Sequence, residues 1–127
     1  RPETFDVVVA SNLFGDILTD LGAILVGSLG LAPSANITLD PDLPSMFEPV
    51  HGSAPDITGQ NIANPIATVL SVAMMMDHLG LKTGAQALDA SVKELLRTNG
   101  PRTPDIGGTS KTQEVAAALS DLVTQHS

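Results

Sequence analysis

The sequence predicts an α/β fold that is mostly helical, with helices packed on a few short strands. Three observations carry this. A β-branched run at residues 5–10, FDVVVA, leads directly into apolar residues at helical spacing. An apolar stretch beginning at Ile66 is bracketed by Asn64-Pro65 and Gly80, the start and stop signs of a helix. Two later segments open with Thr83-x-x-Gln86 and Ser110-x-x-Gln113, the spacing at which two side chains close on each other's backbone N–H groups.

Taken in chain order, residues 5–10 read as a buried, parallel-type strand, because a short β-branched run without alternation packs on both faces. Ile17, Leu18, Leu21, Ile24 and Leu25 recur at three- and four-residue intervals, so residues 15–26 form a helix, with Ser11 or Asn12 as its cap. Residues 27–44 carry too many Gly and Pro for a regular element and read as irregular. Residues 45–50 form a second short strand that ends in the loop His51-Gly52-Ser53-Ala54-Pro55-Asp56. Three helices then follow, from Pro65 to about Leu79, from Thr83 to about Arg97, and from Ser110 to about Thr124. Residues 99–108 separate the last two as a Pro/Gly segment without periodicity.

With 127 residues the chain has room for one core and little more. Hydrophobic residues make up 43%, enough to offset chain entropy and to exclude a disordered polypeptide. Fourteen acidic residues against six basic ones give a net charge of −8, which repels nucleic acid and anionic membrane surfaces. Three Phe and no Trp or Tyr leave no material for base-stacking platforms. No cysteine is present, so disulfides and thiolate chemistry are excluded, and a cytoplasmic setting is expected. No apolar run reaches the length of a membrane span, and the densest, residues 66–76, is interrupted by Thr68 and Ser71. Arg1-Pro2 lacks an initiator Met and a leader, as expected of a processed chain or the trailing part of a longer one.

Two patterns bear on chemistry. Asp16 and Asp20 stand at i and i+4, so a helix brings both carboxylates to one face. Such a pair either stays solvated at an exposed helix start or shares a hard cation such as Mg²⁺ or Mn²⁺. The loop from His51 to Asp56 offers backbone N–H groups and one carboxylate close to a helix entry. Such a loop is either a surface turn capped by Asp56 or a nucleotide site in which Asp56 accepts from ribose hydroxyls. In the second case Asp56 favours NAD, because a carboxylate repels the extra phosphate of NADP. The Gly-rich fingerprint of a Rossmann domain is absent. His51 suits ligand contact or packing, His78 and His126 look incidental, and Met74 to Met76 suit a core or subunit contact.

NLFGDILTD (12–20), GSLGLAPSANI (27–37), MFEPVHGSAPDITGQNIANPIAT (46–68) and TPDIGGTSKTQEV (103–115) together resemble the metal-dependent β-decarboxylating dehydrogenases. That family includes the isocitrate, 3-isopropylmalate, homoisocitrate and tartrate or D-malate enzymes, and the likeness looks greatest to the tartrate/D-malate branch. The resemblance implies the C-terminal portion of an isopropylmalate dehydrogenase-like fold. Residues 1–14 would be the strand and connection from a preceding domain, and residues 15–127 the C-terminal part of the cofactor-binding domain. It implies Asp16 and Asp20 as metal ligands for Mg²⁺ or Mn²⁺. The cofactor-binding residues for NAD would be Glu48, His51, Gly52, Ser53, Ala54, Asp56 and Asn64, with Asp56 on the adenosine ribose, Asn64 facing adenine and Glu48 near the nicotinamide. Thr58, Gln60 and Asn61 stand where relatives more often read Ala, Lys and Gly.

The activity implied is NAD-dependent oxidation, with decarboxylation where the substrate allows and a divalent metal required, of a malate-type 2-hydroxy acid such as tartrate or D-malate by a homodimer. The alternatives are a 3-isopropylmalate dehydrogenase fragment and a non-catalytic nucleotide-binding module. The family's catalytic Tyr and Lys have no counterpart, since the chain lacks Tyr and Lys82, Lys93 and Lys111 do not match. No catalytic residue is therefore assigned, and the chain alone is expected not to turn over substrate.

Overall fold

A computed structural model describes residues 1–126. The predicted helix near residue 15 forms as α1, Asn12–Val26, and ends at Gly27, whose φ of 121° is open to glycine and strained for other residues. Ser11 precedes it without a side-chain capping bond. A short 3-10 turn, Leu29–Leu31, leads to strand β1, Pro33–Asn36, inside the stretch expected to be irregular. Strand β2, Met46–Pro49, pairs with it antiparallel, with Pro33 opposite Pro49 and Asn36 opposite Met46. The two prolines face each other at a position that needs no donor, and the pairing runs one rung further through the Val50 N–H and the Ala32 carbonyl.

Helices α2, Ile66–His78, α3, Lys82–Arg97, and α4, Thr112–His126, complete the chain. The α2–α3 corner follows from Gly80. At φ 80° it lets its own N–H reach the Asp77 carbonyl and the Leu81 N–H reach the Met76 carbonyl, closing both orphaned acceptors. Ile66, Val92, Leu95, Val115 and Leu119 form the core between these helices, with Leu31 and Ile106 packed against it. The sheet lies against α2, where Phe47 meets His78 with ring centres 5.6 Å apart. Of the three methionines on α2, Met76 is the least exposed and lies over Gly84, while Met74 and Met75 stay on the surface.

Three expectations are corrected. Residues 5–10 are not a buried strand, since Val7 is 83% and Val9 93% exposed, and no strand among the described residues lies beside them. β-branched composition supplies the propensity, yet a strand exists only where a neighbour takes its hydrogen bonds. The Thr83 box does not form, because the Gly80 turn has already placed the chain in helix at Lys82 and the ladder starts from the Leu81 carbonyl. The Ser110 box moves by one residue. Glu114 accepts from the Lys111 N–H at 2.6 Å, because Thr112 is held by the Ala63 carbonyl.

Helix α1 keeps its amphipathic spacing but buries only Ala23. Phe14, Leu21, Ile24 and Leu25 are all more than half exposed, and its main packing is on the 3-10 turn at Leu29–Leu31. No helix among the described residues is long and apolar enough to cross a membrane.

Candidate cofactor and metal site

The loop after β2 is built by its own backbone chemistry. The Val50 N–H donates to the Ala32 carbonyl, so the β1 edge fixes where the loop departs. Gly52 at φ 61° and Ala54 at φ 43° then turn it through two left-handed residues, and Pro55 starts the 3-10 turn Pro55–Ile57 that carries Asp56. Left-handed geometry costs alanine about 1 kcal/mol or more, and the loop carries that strain at the residue next to the turn. The Gln60 side chain donates to the Asp56 carbonyl at 2.8 Å, which leaves the Asp56 carboxylate exposed and free for a ligand.

Behind the loop lies a cavity of 170 Å³ lined by Gly30, His51, Ala54, Ile57, Asn64 and neighbouring residues. A broader groove of 420 Å³ runs on the other side, between residues 51–59 and the start of α4 at Thr112 and Gln113. His51 lines both. Its Nδ1 lies 2.8 Å from the Gly52 carbonyl, which can only accept, so Nδ1 holds the proton. Nε2 is buried with no hydrogen-bond partner among the described residues. A buried polar atom without a partner is costly unless a ligand supplies one.

Asn64 is buried and spends its side chain twice. Its Oδ1 accepts from the Ile66 N–H at 3.0 Å, although Pro65 rather than the expected Asn64 takes the N-cap position, and its Nδ2 donates to Asp105 at 3.0 Å. Glu48 is exposed on β2 opposite Ser34 and lines neither cavity. Gly52 and Ser53 line the broader groove, and Asn61 and Gly59 take positive φ beyond them.

Asp16 and Asp20 are exposed on one face of α1, with the Asn12 amide 3.2 Å from Asp16. As hard oxygen donors they suit Mg²⁺ or Mn²⁺, but no group of three or more acidic or histidine side chains converges among the described residues. Neither aspartate lines the cavities of the 51–59 loop. Asp20 lies roughly 10 Å of helix axis before Gly27, and residues 28–30 then enter the smaller cavity, so α1 joins the two sites end to end.

Asp105, within the motif at residues 103–115, is the acidic member of the smaller cavity. Burial pushes its carboxyl up, but hydrogen bonds from Ser28, Thr103, Asn64 and its own backbone amide outweigh that and hold it below the usual carboxylate value. Only Thr103, two residues away, is a local partner. Ser28 and Asn64 are 77 and 41 positions distant, beyond any spacing rule.

Helices set behind a short sheet, with an exposed carboxylate loop over a cavity and an acidic pair on α1, make up an α/β unit. The chain belongs to the isocitrate/isopropylmalate dehydrogenase family, whose model matches residues 1–119. It is 60% identical over 116 residues to the probable tartrate dehydrogenase/decarboxylase of Bacillus subtilis, covering 91% of this chain and 32% of that protein. It is 52% identical over 128 residues to the decarboxylating D-malate dehydrogenase of Escherichia coli, covering 97% and 35%. It is 56% identical over 123 residues to the isocitrate/homoisocitrate dehydrogenase of Thermus thermophilus, covering 97% and 36%. Among solved structures, isocitrate dehydrogenase from Methylococcus capsulatus superposes with a TM-score of 0.91 at 43% identity, over 97% of this chain and 36% of that one. The chain thus spans about a third of the length of the relatives it matches.

Proposed function

We infer that the chain supplies the metal- and NAD-contacting part of a decarboxylating dehydrogenase acting on a malate-type 2-hydroxy acid such as tartrate or D-malate. The observation that carries this is the His51–Asp56 loop. It sets an exposed carboxylate between two residues that line a cavity, Ala54 and Ile57, and leaves the buried His51 Nε2 without a hydrogen-bond partner among the described residues. The similarity to tartrate and D-malate enzymes supports the substrate class.

In this reading Asp56 accepts from the ribose hydroxyls of NAD, and Gly52, Ser53 and Ala54 line the cofactor's path. Asn64 stands beside the base and Glu48 toward the nicotinamide end. Asp16 and Asp20 would hold the cation from one side, the remaining ligands coming from elsewhere in the assembly. When bound, NAD accepts a hydride and the cation draws electron density from the substrate's oxygens. The residues of this chain bind and orient; none of them moves the proton. Residues 15–127 serve as the C-terminal part of the cofactor domain, with residues 1–14 entering from a preceding one. The exposed apolar faces of residues 5–10 and α1 fit burial against the rest of such an enzyme, as a homodimer.

The test is NADH formation by the protein that carries this chain, in Mn²⁺, with D-malate, tartrate, isocitrate and 3-isopropylmalate compared by kcat/KM. Preference for the malate-type acids supports the reading. Preference for 3-isopropylmalate would move the chain to that branch, and no NAD-linked turnover of any of the four would leave a nucleotide-binding module.

A further inference from the structure

We propose that Asp105 is a positioning residue for the smaller cavity, holding Asn64 and the Ser28–Gly30 turn in the register that admits the adenosine end of the cofactor. This rests on the NAD reading of the loop and adds a residue to it.

Three chain segments wall the cavity, at residues 28–30, 51–57 and 62–64. The Asp105 carboxylate joins the first to the third. One oxygen, Oδ2, accepts from the Ser28 hydroxyl at 2.5 Å and from the Asn64 amide at 3.0 Å, and Oδ1 accepts from the Thr103 hydroxyl at 2.5 Å. Ser28 in turn accepts from the Gly30 N–H at 2.9 Å. The chain of bonds has one polarity. Because the carboxylate can only accept, Asn64 must turn its NH₂ toward it, and Oδ1 then faces the Ile66 N–H at the start of α2. A flipped amide would set oxygen against oxygen on one side and donor against donor on the other. Ser28 and Asn64 are buried, so neither can exchange these partners for water without cost. Gly30 is pressed against the same pair: a Cβ there would stand 2.7 Å from both Asn64 Cβ and Asp105 Oδ2. The cavity wall is therefore fixed by a carboxylate rather than by apolar packing alone.

Hydrogen-bond geometry and charge make different predictions for two variants. Asp105→Asn can place its Oδ1 where Oδ2 stands, accepting from Ser28 and Asn64, and turn its N–H toward the Thr103 oxygen. Asp105→Ala removes every acceptor. In titration calorimetry of the protein carrying this chain, Asp105→Ala should weaken NAD binding about tenfold, while Asp105→Asn stays within about twofold of the parent. Thr103→Val keeps the Asn64 bond and removes a group that lines no part of this cavity, so it should lower the thermal midpoint without moving NAD affinity. Unchanged affinity in Asp105→Ala would overturn the proposal. Equal losses in Ala and Asn would also overturn it, because the charge would then act on the ligand directly. If Asp105→Ala does not fold, Asp105→Ser, whose hydroxyl ends one bond short of Asn64, takes its place under the same criteria.

If the parent itself does not bind NAD, the reading of the loop fails. Positioning is then decided by amide exchange. Ile66 N–H should exchange at least about tenfold faster in Asp105→Ala and return to the parent rate in Asp105→Asn. An Ile66 rate that does not respond would refute it.

Discussion

Replacing Gly30 by alanine tests whether the turn after α1 is locked against the start of α2. The added Cβ would lie 2.7 Å from Asn64 Cβ and from Asp105 Oδ2. Carbon atoms rest at about 3.5–4.0 Å, so the overlap is about 1 Å, and neither neighbour is a flexible chain end. Asn64 is held by Ile66 and Asp105, and Asp105 by Ser28 and Thr103. Overpacking of this kind costs about 1–3 kcal/mol, from which the stiffer unfolded chain of alanine recovers about 0.4–1 kcal/mol. The net loss is about 1.5 kcal/mol. For a chain of 127 residues that lowers the thermal midpoint by about 6 °C. Gly15→Ala serves as the opposite control, since its Cβ meets nothing within 4 Å inside α1, and it should raise the midpoint by about 3–4 °C. Scanning calorimetry of the three proteins decides the matter. A Gly30→Ala midpoint equal to or above the parent's would show that the Asn64–Asp105 wall yields freely.

Four further outcomes are expected. Asp56→Lys should weaken NAD binding about tenfold and turn preference toward NADP, read by the ratio of kcat/KM for the two cofactors; an unchanged ratio would remove Asp56 from the ribose. Asp20→Asn should raise the Mn²⁺ concentration for half-maximal activity at least about tenfold, and an unaltered requirement would reject α1 as a ligand source. Since the folded-state pKa of Asp105 is lowered from 3.8, its stabilising contribution is present above that pH and is lost as pH falls through the folded value. Urea unfolding should therefore show an acid loss below about pH 4 that is smaller in Asp105→Asn, and identical losses would place the acid sensitivity elsewhere. Ile66→Ala, at a fully buried position, should cost about 2–4 kcal/mol in the same assay, whereas a cost below about 1 kcal/mol would mean that the α2–α3–α4 core repacks around the gap.

Much of the architecture was legible because its causes are local. The spacing of Ile17, Leu18, Leu21, Ile24 and Leu25 dictates α1, Asn64-Pro65 and Gly80 bound α2, and the run at residues 46–49 forms the expected strand. The motifs at residues 12–20, 46–68 and 103–115 were enough to indicate the family, which the matched residues 1–119 bear out. The element signals rest on residues within a turn or two of one another, and the family on contiguous motifs that can be read along the chain.

What the sequence could not decide depends on distant partners. Residues 5–10 have the composition of a strand, yet strandhood is a property of a pair, and no described neighbour accepts their hydrogen bonds. Strand β1 lies among Gly and Pro residues that discourage it, and forms because β2 supplies the other edge. Asp105 was one acid among fourteen until the fold brought Ser28 and Asn64 to it across 77 and 41 residues. Periodicity and capping act over a few residues and are written in the chain, whereas a carboxylate becomes a keystone only when folding surrounds it with donors.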